Sequence, residues 1–159
     1  MQILVVGMGL IGGSICKALK AATTQTVDGC DVQPEVLEQA LQDGAIDGTG
    51  RMEDGTYDMV ILCLHQRIAI QMVQEALPHM QAGTILVDTC GLKGRMVRDL
   101  TYRCRKHGVR YVGTHPMAGR ETSSVEHAAE VNFAPANFII TPTEKNTPEA
   151  IEWAKELAE

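Results

Sequence analysis

The stretch Gly7-Met8-Gly9-Leu10-Ile11-Gly12 decides how the rest of the chain is read. It fits G-x-G-x-x-G, a short pattern that carries weight only in the right surroundings. Those surroundings are present: the apolar run at residues 3–6 ends on the first glycine. From residue 10 to 22, Ile11, Ile15, Ala18, Leu19 and Ala22 fall near helical spacing. A strand, a glycine turn and a helix in this order aim backbone N–H groups, here those of Leu10 and Ile11, at an anion, and the helix dipole adds to the attraction. Gly7 permits the tight turn, Gly9 leaves room for a pyrophosphate against the backbone, and Gly12 lets the helix lie close to the sheet. Asp31 stands at the end of a second strand-like run, residues 26–31. A carboxylate there accepts hydrogen bonds from an adenosine ribose and repels a 2′-phosphate. Val32 and Gln33 bring no arginine to offset it, so the pattern predicts NAD rather than NADP.

Outward from the loop, short β-like runs alternate with helical patterns, the sequence form of a parallel α/β sheet. Helices are expected at residues 34–42, 68–80, 93–107 and 148–159, and strands at 57–64, 84–88, 109–112 and 138–141. The run at 57–64 is apolar on both faces, as a central parallel strand should be. The expected fold is a Rossmann-type, doubly wound, mostly parallel sheet with helices on both faces. Leu64, the last residue of the strongest strand, and His65, just after it, are expected to line the cofactor crevice. At 159 residues the chain suits one domain, and a net charge of −6 argues against broad contact with nucleic acid or an anionic membrane. No apolar stretch approaches the roughly 20 residues of a membrane span, and no secretory signal is evident. Five scattered cysteines without a C-x-x-C pair read as reduced thiols in a cytoplasmic protein. No histidine pair has metal-site spacing, so no metal is expected.

A second constellation, Gly113-Thr114-His115-Pro116-Met117-Ala118-Gly119-Arg120-Glu121, follows the short strand at 109–112. Ligands of open α/β sheets sit off the carboxyl ends of the strands. An imidazole there titrates near neutrality and can take or share a hydroxyl proton while hydride leaves the adjacent carbon. A structural hydrogen-bonding role for His115 stands beside that catalytic one.

Three segments carry a family resemblance: G-M-G-L-I-G-G-S at Gly7 to Ser14, V-D-T-C-G-L-K at Val87 to Lys93, and G-T-H-P-M-A-G-R-E at Gly113 to Glu121. In order and spacing, over essentially the whole chain, they resemble the prephenate and arogenate dehydrogenases of tyrosine biosynthesis. The resemblance implies an NAD-dependent oxidation coupled to loss of the ring carboxylate, giving 4-hydroxyphenylpyruvate from prephenate or tyrosine from arogenate. It gives His115 the contact to the ring hydroxyl, and makes Lys93 and Arg120 the nearest cations for a dianionic substrate. Gly91 stands where the family pattern carries a serine near the substrate, and Thr122-Ser123-Ser124 replaces a stretch that usually holds a glycine. The resemblance further implies that residues 1–147 are the dinucleotide-binding domain. Residues 148–159 would then be a helix leading toward a helical second domain, absent here, that completes the site or forms a homodimer. A non-catalytic NAD-binding module needing a partner domain, and a different Rossmann oxidoreductase, are the competing readings.

Overall fold

The computed structural model describes residues 1–117 and 137–157. Five parallel strands form the body of the sheet around β1 (Gln2–Val6): β2 (Thr26–Cys30) and the two-residue β3 (Gly48–Thr49) on one side, β4 (Met59–Leu62) and β5 (Ile85–Asp88) on the other. β6 (Arg110–Pro116) continues the parallel series, and β7 (Phe138–Thr141) closes the edge antiparallel to it. The order β3-β2-β1-β4-β5-β6-β7 reverses direction between β1 and β4. This is the doubly wound arrangement, in which a ligand crevice opens at that reversal.

Strand residues alternate between two cores, as the period of two requires. Leu4, Val6, Val60, Leu62 and Leu86 pack with α3 (Gln66–Ala76) and α4 (Lys93–Lys106) through Ala69, Val73, Met96 and Leu100. Ile3, Val5, Met59, Ile61, Val87 and Val112 face α1 (Leu10–Ala22), α2 (Pro34–Gln42) and α5 (Pro148–Glu156) through Ile15, Cys16, Ala40, Ala150 and Ala154. Burial on both faces explains why the central strands read as unbroken apolar runs. The apolar stripe of α5 is covered by the sheet: Ala150 and Ala154 are fully buried, and Trp153 and Leu157 pack against the same core.

Element types match the expectation, and three differences bear on function. The strand read at 109–112 runs on to Pro116, so His115 lies within β6, in register with Ile139 of β7, and not in a loop. Pairing with a strand distant in sequence extends β6 beyond its apolar run. β3 and a 3-10 turn at Met52–Asp54 were not foreseen, because neither is long enough to show a period. The helix expected from 68 begins at Gln66 with His65 as its N-cap.

Candidate functional site

The glycine loop at the end of β1 is held from three directions. Gly7 adopts φ +91°, in the left-handed region. A Cβ on it would sit 2.6 Å from the Cys63 carbonyl oxygen and 2.7 Å from Leu64 Cδ2, just past the end of β4. A Cβ on Gly12 would sit 1.8 Å from the Gly7 carbonyl oxygen, so the first turn of α1 folds directly over the loop. Gly9 differs: it is exposed, and nothing lies within 4 Å of where its Cβ would be. That open space, beside a helix whose N-cap offers no side chain and whose first turn carries no acid, can receive a phosphate. The first-turn amides of α1 have no intrahelical acceptor and are free to donate to it.

Asp31 shapes the loop as well as marking it. One carboxylate oxygen accepts the Met8 amide at 2.7 Å and the other the Gln33 amide at 3.0 Å, while the Gly7 amide donates to the Cys30 carbonyl. With the backbone so tied, the Met8 side chain turns inward and is buried beside the Cys16 thiol. The end of β2 is also electronegative. Burial, then the Glu53 and Asp31 carboxylates and more weakly Asp54, push the Cys30 thiol up against the opposition of Arg51. Glu53 and Asp54 come from the 3-10 turn after β3, where the sequence had shown no pattern to mark them.

A line of contacts runs from this loop to the histidine. Leu64 packs over Gly7, and its carbonyl accepts the Cys90 thiol at 3.2 Å. The Cys90 thiol is pushed up to about 11 by burial and by the Asp88 charge, so at neutral pH it is a donor and not a nucleophile. The Thr89 amide and hydroxyl both donate to the Leu62 carbonyl. The Thr89 carbonyl faces His115 Nδ1 at 2.9 Å. A carbonyl can only accept, so Nδ1 carries the proton and Nε2 presents a lone pair. A Cβ on Gly91 would lie 3.7 Å from that Nε2, so the exposed glycine leaves the nitrogen open.

The other foreseen residues are placed as follows. His65 is exposed and caps α3 through Nδ1, which accepts the Arg67 amide at 3.4 Å. Lys93 turns inward, its side chain 13% exposed, and pairs with the fully buried Asp88. Its charge is thereby committed to that carboxylate. Arg120 lies outside the described residues. Among the described residues no three or more His, Cys, Asp or Glu side chains converge as a metal site would require.

The model of the family described as prephenate dehydrogenase, nucleotide-binding domain, matches residues 15–159. The chain belongs to the prephenate dehydrogenase family. A prephenate dehydrogenase of Bacillus subtilis (strain 168) is 32% identical over 162 residues, covering 98% of this chain. The structure of a prephenate dehydrogenase from A. aeolicus, solved with hydroxyphenyl propionate and NAD+, superposes with a TM-score of 0.86 at 29% identity over 99% of this chain. The arogenate dehydrogenase of Synechocystis gives the same TM-score at 25% identity, again over 99% of the chain. The chain spans 43% of the length of the Bacillus protein, and 56% and 55% of the two solved chains. The prephenate dehydrogenase family model begins after the glycine loop, so the loop reading and the family match rest on different residues.

Proposed function

We propose that this chain is the NAD-binding part of a prephenate dehydrogenase-type enzyme, in which His115 accepts the proton of the substrate hydroxyl through Nε2. One observation carries the reading: the Thr89 carbonyl commits Nδ1 as donor, so the bare Nε2 faces the open side of Gly91. That edge of the sheet is continuous with the glycine loop through Cys90 and Leu64. When bound, NAD supplies the two-electron acceptor for oxidation of the hydroxyl-bearing ring carbon, coupled to loss of the ring carboxylate. The chain's own residues position and deprotonate. Gly7, Gly9 and Gly12 admit the pyrophosphate against the Leu10 and Ile11 amides, Asp31 receives the adenosine ribose, and Leu64 and His65 border the crevice. Among the described residues, the carboxylates of Glu53, Asp31 and Asp54 outweigh Arg51 around Cys30, and a 2′-phosphate there would be repelled, which favours NAD over NADP.

Prephenate is the proposed substrate, with arogenate as the alternative. Gly91 is proposed to lie beside the substrate hydroxyl. Arg120 is the proposed cation for the substrate carboxylates, in preference to Lys93, whose charge is already paired. The proposed division keeps residues 1–147 as the dinucleotide-binding unit and 148–159 as the lead-in to a helical domain. Such a lead-in starts from a helix anchored on the sheet by Ala150 and Ala154. A cytoplasmic site of action and a homodimer or helical-domain partner belong to the same proposal. The bare backbone at Gly91 favours one second reading, a non-catalytic NAD-binding module.

The test is a titration of the 159-residue chain with NAD, followed by prephenate and then arogenate, with absorbance of the reduced nicotinamide as readout. Binding with turnover supports the enzyme and identifies the substrate. Binding with no turnover, even after addition of the second domain of a family member, favours the module. No binding of NAD overturns both.

A further inference from the structure

Asp88 ends β5 with a side chain that is 0% exposed, and every oxygen it owns is occupied. The Lys93 ammonium pairs with Oδ2, the Cys90 amide donates to Oδ2 at 3.0 Å, and the Tyr111 phenol donates to Oδ1 at 2.8 Å. The Asp88 main-chain carbonyl accepts the Thr114 hydroxyl at 2.6 Å, one residue before His115. Burial and the adjacent Asp88 charge push the Tyr111 phenol well up, so it remains a donor across the neutral range.

The decisive point is which peptide these bonds hold. The Cys90 N–H and the Thr89 C=O belong to one planar peptide unit and point in opposite directions. At one end the N–H donates to the Asp88 carboxylate, and at the other the carbonyl accepts His115 Nδ1–H. A negative charge on the N–H side polarises the peptide and strengthens the carbonyl as an acceptor. We propose that Asp88 is the orienting carboxylate of His115, acting through the 89–90 peptide to keep the proton on Nδ1 and the lone pair on Nε2. Lys93 holds that carboxylate in place through Oδ2, the oxygen that also takes the Cys90 amide, so the lysine five residues along the chain serves the histidine and not the substrate. Asp88 is thus a positioning residue: it touches neither substrate nor cofactor.

The inference rests on the dehydrogenase reading only for its consequence in turnover, because the tautomer is read without any ligand. Nitrogen-15 NMR of the His115 ring in the parent chain above its titration should show Nδ1 protonated and Nε2 bare. A parent ring with the proton on Nε2 overturns the proposal with no variant needed. Asp88→Asn alone would bury an unpaired ammonium, so the variant to make is Asp88→Asn with Lys93→Met, its fold checked by circular dichroism. Replacing the charge-assisted bond to the Cys90 amide by a neutral one should move the tautomer ratio about fivefold toward Nε2–H. Tyr111→Phe, which leaves the carboxylate and its bond to Cys90 in place, should keep the parent ratio. An unchanged ratio in the folded double variant overturns the proposal. An equal shift in Tyr111→Phe does so too, because it would point to general loosening. Failure of prephenate turnover leaves the ring spectra unaffected, so the two readings fail separately.

Discussion

At Gly9 and Gly12 the same substitution should differ in its cost to stability, because one glycine faces open space and the other faces backbone. An alanine methyl at Gly12 would meet the Gly7 carbonyl at 1.8 Å, so the loop or the helix must move. Gly12→Ala should cost about 1–3 kcal/mol of stability in urea unfolding and also lose NAD binding. Gly9→Ala meets nothing within 4 Å, and since glycine is the better N-cap it should cost at most about 1 kcal/mol. Its methyl would occupy the space proposed for the pyrophosphate, so NAD affinity by calorimetry should drop about tenfold or more, equivalent to about 1.4 kcal/mol. If Gly9→Ala binds NAD as the parent does, the pyrophosphate does not approach there. For His115→Asn, NAD binding should be retained and prephenate turnover by the complete enzyme should fall about 10²–10⁴-fold. Turnover at the parent rate would remove His115 from the chemistry.

Among the elements, α5 shows how a helix that looks exposed in sequence is claimed by the sheet. Its stripe carries alanines at 150 and 154, both fully buried, which lets the helix lie close to the core beneath β6 and β7. Thr147 begins it, its hydroxyl accepting the Ala150 amide at 3.2 Å, and Pro148 follows at the first helical position. The Arg110–Glu149 pair at 2.7 Å is substantially exposed and adds little. Thr147→Ala should therefore destabilise the chain by about 1 kcal/mol, read as a lower urea midpoint with an unchanged slope. Arg110→Gln should leave the midpoint nearly where it was.

Over the whole molecule, buried thiols set an alkaline limit. Burial pushes Cys16 and Cys104 from 9.0 up to about 12. Between those values the unfolded chain has lost these protons while the folded chain keeps them. Unfolding then releases protons, and stability falls as pH rises. The contribution is fully present below pH 9 and is lost progressively from pH 9 to about 12, by up to about 1.4 kcal/mol per pH unit for each thiol. Urea midpoints at pH 8 and pH 10.5 should show this decline, and equal midpoints would mean that the thiols are not buried as described.

The glycine loop and the two-sided apolar strands were legible in the chain because each depends on neighbours close in sequence. A turn needs its glycine within a few residues, and a buried strand needs only its own apolar run. Leu64 was expected beside the loop on the same grounds, since it ends the strongest apolar run, and it packs over Gly7. His115 was legible as a residue of interest, but not as part of a strand, because β6 is extended by pairing with β7 beyond its apolar stretch. Lys93 read as a free cation until the fold buried Asp88 beside it. Glu53 and Asp54 were invisible because a two-residue strand and a single 3-10 turn show no period. Sequence determined which segments become strands, helices and the glycine turn, since those preferences are local. Only the tertiary structure decided which charges cancel, which side chains meet and which nitrogen of His115 keeps its proton. Those depend on strands β5 and β6 lying side by side, a contact that no local pattern encodes.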